Sequence, residues 1–187
     1  DIDPLRKKKV KEGSKFEGCY PFEYNVDTKK YEYLQNHYLD AYKGPSYPNI
    51  EVFNQDEKYG KTFEYELALA NPSLNLLLTD SISNKDELKE LMTAYSENKS
   101  FEELEEILSK RSKENDRIKE SLKNAPEKWE EDDKKKALIA ARYLNSVGKG
   151  ENALELAYNL QENLDKKDEP DYKEFNVPKY IKEAIEW

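Results

Sequence analysis

Large apolar side chains are scarce in this sequence, and most recur three or four positions apart between charged residues. That spacing allows a chain to bury one stripe of each helix and little more. Leu, Ile, Val and Phe together number 39 of 187 residues, close to the roughly 20% floor below which chains tend to stay disordered. Fourteen Tyr and two Trp add enough apolar surface for a modest core. The length allows one full domain or parts of two. The longest run of large aliphatic residues is Leu76-Leu77-Leu78, far short of the roughly 20 that a membrane span needs. With 31 Lys+Arg against 40 Asp+Glu, the net charge is −9. That balance argues against a free-standing, non-specific nucleic-acid binder, whose affinity scales with the cations paired to phosphates. A single cysteine, Cys19, excludes an internal disulfide, and a reducing, cytoplasmic setting is expected. Cys19 reads as a buried, inert thiol, and the lone His37 as a helix residue without a ligand role.

Along the chain, the Lys-rich residues 5–15 read as an exposed loop and 16–24 as a short irregular strand. Tyr31, Leu34, Tyr38, Leu39 and Tyr42 predict an amphipathic helix over 28–43. The Gly44–Asn49 segment breaks it, and Ile50-Glu51-Val52-Phe53 is the best strand candidate. Thr62 predicts an N-cap for a helix running to Ala70 and ended by Asn71-Pro72. Leu88, Leu91, Met92 and Tyr95 share one helix face. Ser100 and Glu103 form a capping box ahead of Leu104, Ile107 and Leu108. A further helix runs through Ile118 and Leu122. Residues 99–136 are so charged that they read as a protruding helical hairpin outside the core, with Lys134-Lys135-Lys136 on a solvated face. Ala137, Ala140, Ala141, Leu144 and Val147 form a small-residue stripe suited to close packing. Gly148-Lys149-Gly150 interrupts. Ala153, Ala157, Leu160 and Leu164 at i, i+4, i+7 and i+11 define the next helix, and 165–174 is a polar linker. A last helix carries Tyr180, Ile181, Ala184 and Ile185, with Pro178 in its first turn. The expected organisation is a segment 1–82, a charged helical insertion or arm 83–136, and a C-terminal helical part 137–187. The chain opens on Asp1-Ile2-Asp3-Pro4 without an initiator Met or signal pattern. It closes on Trp187 within an amphipathic pattern. Both ends read as cut from a longer polypeptide.

Three places could carry chemistry. Asp1 and Asp3 form a DxD, whose two carboxylates suit a magnesium- or manganese-like ion. Lys61 and Glu64 lie on one side of a first helical turn, where free N–H groups and the dipole favour an anion or carboxylate. Lys149 stands between two glycines just before a helix, where the backbone can approach a ligand and an ammonium could stabilise a phosphate. Each also has a plain reading: chance acidic pairing, an ordinary capped helix, and a C-cap glycine followed by a linker lysine.

Taken in order, DID-P, Cys19-Tyr20-Pro21-Phe22-Glu23, Gly60-Lys61-Thr62-Phe63-Glu64-Tyr65-Glu66-Leu67-Ala68-Leu69, Arg142 through Ala153, and Val177-Pro178-Lys179-Tyr180-Ile181 resemble the C-terminal part of the OLD-family endonucleases. Members of that family join an N-terminal ABC-type ATPase to a Toprim nuclease domain, and many act in phage defence. The resemblance implies an α/β, predominantly helical fold: a partial Toprim-like segment with few strands, then a helical region. It implies metal-dependent DNA cleavage with two magnesium or manganese ions. Asp1, Asp3, Glu64 and Glu66 would be metal ligands, and Glu64 and Lys149 catalytic. Lys61 stays open between a structural and a catalytic role. The implied partners are DNA, an ATPase domain that brings ATP, and further copies of the chain, with no membrane. The family's preceding Toprim glutamate is not in this sequence, so the chain alone is expected to be inactive. The competing expectation is a non-enzymatic helical module for protein assembly.

Overall fold

A computed structural model describes residues 21–25, 27–32, 39–55, 61–108, 112–125 and 129–187. Within them the architecture is all-α. Seven helices carry it: α1 (Phe63–Ala70), α2 (Lys85–Ser96), α3 (Phe101–Ile107), α4 (Lys113–Lys123), α5 (Glu131–Ser146), α6 (Lys149–Asp165) and α7 (Lys179–Glu186). The β content of the described residues is one antiparallel hairpin of three-residue strands, β1 (Glu23–Asn25) and β2 (Lys30–Glu32), with Tyr24 opposite Tyr31. The expected α/β fold with a partial Toprim-like segment is therefore corrected to an all-α one.

The centre is α5. Residues 137–144 are buried without a break, which marks a helix surrounded on all sides. It contacts α1, α2, α3 and α4. Ala137, Ala140 and Ala141 keep its surface low, so neighbouring backbones approach closely, as the small-residue stripe predicted. One charged residue, Arg142, lies inside this run at 5% exposure. Its Nε donates to Glu87 Oε1 of α2 at 2.5 Å, and Asn115 of α4 donates to the other carboxylate oxygen at 3.3 Å. Three helices thus meet on one buried carboxylate.

Local signals account for several helix starts. The Thr62 hydroxyl accepts from the Tyr65 N–H, and Ser100 and Glu103 close the predicted capping box. Ser112 caps α4 through the Asn115 N–H.

Other expectations fail for physical reasons. The helix over 28–43 is replaced at Lys30–Glu32 by β2, entered through Lys29 at φ 56°. There the two-residue alternation of Lys30-Tyr31-Glu32 prevails over the helical period. Only a 3-10 turn forms at Asp40–Tyr42, while 33–38, including His37, lies outside the described residues. Residues 50–53 form no strand, because a strand needs a neighbour to bond to. Phe53 instead packs on Trp187, with ring centroids 6.2 Å apart. Residues 74–82 hold a 3-10 turn at Asn75–Leu77. Nor does the 99–136 region protrude. Phe101, Leu104, Leu108, Ile118, Leu122 and Trp129 are all buried, so few but well-spaced apolar residues suffice to join the core. The Ser121 hydroxyl donates to the Phe22 carbonyl at 2.6 Å and accepts from its N–H at 2.8 Å, and the Phe22 ring meets Trp129 edge-on. The hairpin is thereby latched to α4. The loop at 5–15, the strand residues 16–20 and Cys19 lie outside the described residues.

The helix expected through Ala153, Ala157, Leu160 and Leu164 forms as α6. Of that pattern Leu160 packs on the core and Ala153, Ala157 and Leu164 are exposed, while Asn152, Leu156 and Asn163 are the buried residues. Helix α6 starts at Lys149, so only Val147 and Gly148 interrupt. Pro178 occupies the cap position ahead of α7 rather than its first turn. The 165–174 linker is polar but not loose. Asn163 accepts from the Lys173 N–H and donates to its carbonyl, and Asn71 does the same to Asn176. No helix of the described residues is long and apolar enough to cross a membrane.

Candidate functional site

Of the two loop–helix junctions singled out in the sequence, the start of α6 is tied to the end of α5 by a polar network, and the other opens α1, which packs on α5. Tyr143, near the end of α5, donates from its hydroxyl to Asn152 Oδ1 at 3.2 Å. Asn152, in the opening of α6, donates from Nδ2 to Thr79 Oγ1 at 2.7 Å. Thr79 Oγ1 contacts Ser81 Oγ at 3.3 Å, and the Ser81 N–H donates to Glu155 of α6 at 2.9 Å. The Ser83 N–H and hydroxyl both donate to the Ser146 carbonyl at 3.0 Å. The start of α6 is therefore held against the end of α5 and the 79–83 turn by side chains from three segments.

Glu64 joins this network electrostatically. Burial pushes the Tyr143 phenol up to about 12, and the Glu64 carboxylate adds to the rise. Tyr180 of α7 is likewise raised, first by burial, then by the charges of Glu66 and Glu64, and it accepts from Gln55 Nε2 at 3.5 Å. Tyr65, fully buried beside Glu66, is raised by burial and by that carboxylate. Glu64 is half-buried, and Glu66 is buried at 8% exposure. Lys61 is buried at 2% exposure. On the other side, Ser81's backbone N–H holds the exposed Glu155 carboxyl below its ordinary range.

The first turn of α6 is open. No side chain caps it, and a Cβ built on Gly148 or Gly150 would meet nothing within 4 Å. An uncapped helix start with free space at two glycines leaves backbone N–H groups accessible to an anion.

The predicted site residues divide as follows. Glu64, Glu66 and Lys61 gather at the start of α1, and Lys149 is the first residue of α6. Asp1 and Asp3 lie outside the described residues. Among the described residues no group of three His, Cys, Asp or Glu side chains could hold a metal ion. The oxygen chemistry of Glu64 and Glu66 suits magnesium, but two carboxylates on one helical turn do not make its site. The described residues thus do not by themselves fit the ion the resemblance implies.

Tyr143, Asn152, Thr79 and Tyr180 were not foreseen as site residues. Tyr143 and Asn152 stand inside the motif that flagged Lys149, yet a tyrosine within an alanine stripe reads as packing. Only contact with Asn152 reveals its hydroxyl as a partner. Compared with models of known families, with curated proteins and with solved structures, the chain matches none.

Proposed function

We propose that this chain serves metal-dependent hydrolysis of DNA phosphodiester bonds, as part of a nuclease of the OLD-like kind. One observation carries the reading. The two segments that bear the resemblance meet the same helix: the Lys61–Glu66 junction opens α1, which packs on α5, and Tyr143 of α5 donates to Asn152 of the Gly148–Asn152 junction. On this reading the open N-terminus of α6 receives a phosphate oxygen through its amides. Lys149, the first residue of α6, is the cation the resemblance assigns to transition-state charge. Asp1, Asp3, Glu64 and Glu66 would be the carboxylates toward a divalent ion, of which Glu64 and Glu66 are among the described residues. The buried Tyr143–Asn152–Thr79 chain keeps the α6 end in place and takes no proton at neutral pH.

The test uses the entire reading frame that encodes this chain, expressed as one polypeptide. It is expected to cleave supercoiled plasmid DNA with manganese, to stop with EDTA, and to lose cleavage on Glu64→Gln or Lys149→Met without loss of helix content. The 187-residue chain alone is expected to be inactive. Cleavage that persists undiminished in Glu64→Gln, or a whole product that leaves DNA intact, removes the reading.

A further inference from the structure

Helix α6 carries apolar side chains on its outer side as well as on the side that meets the core. Leu154 is 77% exposed, Tyr158 62% and Leu164 54%, and Ala153 and Ala157 between them are exposed as well. These positions fall on one side of α6 when its residues are laid out at 100° intervals. The inward side is held by Asn152, Leu156, Leu160 and Asn163. The helix therefore has two faces fit for burial, and this fold uses only one.

The flank of the exposed stripe is acidic. Glu151, Glu162 and Asp165 are exposed along one edge, with Glu155 beside them turned to the Ser81 N–H. The Glu162 carboxylate is fixed by the Tyr158 hydroxyl at 2.8 Å, and Asp165 by Gln161 at 2.9 Å. The edge is thus a row of carboxylates partly pinned in position. The alanines and Gly150 keep the other edge low, which suits close approach of a second helix.

We propose that the outer face of α6 is the docking surface for an amphipathic helix of a partner protein, apolar on one side and flanked by lysine or arginine. Charge selects this occupant. A second copy of the chain carries the same net charge of −9, and antiparallel stacking of α6 on itself would set acidic edge against acidic edge. A basic flank turns that edge from a barrier into a guide, raising association rate and fixing register. Apolar contacts with Leu154, Tyr158 and Leu164 supply affinity, in the manner of helix-in-groove recognition. The inference holds whether or not the chain cleaves DNA.

The test is fluorescence anisotropy with the whole chain and a labelled helical peptide of about 18 residues, similar in length to α6. Its leucines recur at three- and four-residue spacing and its flanks are lysine; a second peptide has glutamate in place of lysine. The lysine peptide is expected to bind, and the glutamate peptide not to. The decisive variant is Leu154→Asp, with Tyr158→Asp as a second. Either adds negative charge, so an association driven by charge alone would tighten, whereas docking on the stripe weakens about tenfold or more. Glu151→Lys should weaken the lysine peptide too. Binding that is unchanged or tighter in Leu154→Asp overturns the proposal, as does equal binding of both peptides or of neither. Sedimentation of the chain alone gives a further outcome: a dimer abolished by Leu154→Asp would assign the face to a second copy instead.

Discussion

Replacing Arg142 by methionine tests the account of the core most sharply. The guanidinium lies at 6% side-chain exposure and Glu87 at 4%, with Nε and Oε1 2.5 Å apart. Methionine follows the aliphatic stem of arginine and leaves little void. The damage is electrostatic: Glu87 remains buried as a carboxylate with Asn115 among its few donors. Breaking a buried pair from one side costs about 3–5 kcal/mol. A domain of this size holds about 5–15 kcal/mol in all. Each kcal/mol moves the midpoint by about 2–4 °C at this length, so Arg142→Met should lower Tm by about 6–20 °C. Glu87→Leu should fall in the same range. The double variant should recover most of the loss, because two apolar side chains need no partners, and such replacements come out near neutral or stabilising. Thermal melts by circular dichroism on the four proteins close the cycle. Losses that simply add in the double variant would refute the reasoning, since the two side chains would then act independently.

Two further outcomes follow from local contacts. Ser121→Ala removes one hydroxyl from two backbone groups of Phe22, and leaving buried partners unmet costs about 1–3 kcal/mol. Amide exchange should rise at Phe22 and in the hairpin while α5 stays protected. Tyr143 is an acid whose folded value of about 12 lies above its ordinary value of 10.0. Its contribution to stability is therefore complete below pH 10 and lost as pH rises through 12. Urea melts between these values should show a decline that Tyr143→Phe reduces; an identical decline in both proteins would show that other groups cause it.

The sequence is most legible where a helix is specified by local chemistry. Thr62, Ser100 with Glu103, and the alanines of α5 each state their role within a few residues. Legibility fails where one face of an element must be chosen by something distant. The apolar spacing of α6 is real, but Asn152 and Asn163 find partners at Thr79, Tyr143 and Lys173, and those bonds turn the polar side inward. The same holds for charge. Residues 99–136 read as an arm because their charged residues outnumber their apolar ones, yet burial depends on where the apolar residues stand, not on their share. The short alternation at Lys30–Glu32 likewise carried a strand signal that a longer helical pattern masked. As for the candidate site, both junctions were visible as separate motifs. The bond that ties the start of α6 to α5 was not, because it runs through Tyr143, a residue whose hydroxyl has no sequence signature.

The two asparagines that grip the course from α6 to α7 have a consequence for how this region can change. Asn163 and Asn71 bond to the main chain of Lys173 and Asn176, not to their side chains. Those two positions are themselves exposed. Their identities can therefore drift without altering the path of the segment, while Asn71 and Asn163 cannot be exchanged for residues lacking both a donor and an acceptor. Helix α7, which has no fully buried residue of its own, takes its position from that path together with two contacts to the 53–55 segment, Tyr180 with Gln55 and Trp187 on Phe53. Its other positions can therefore be rewritten, and with them the surface it presents, while the fold beneath stays the same.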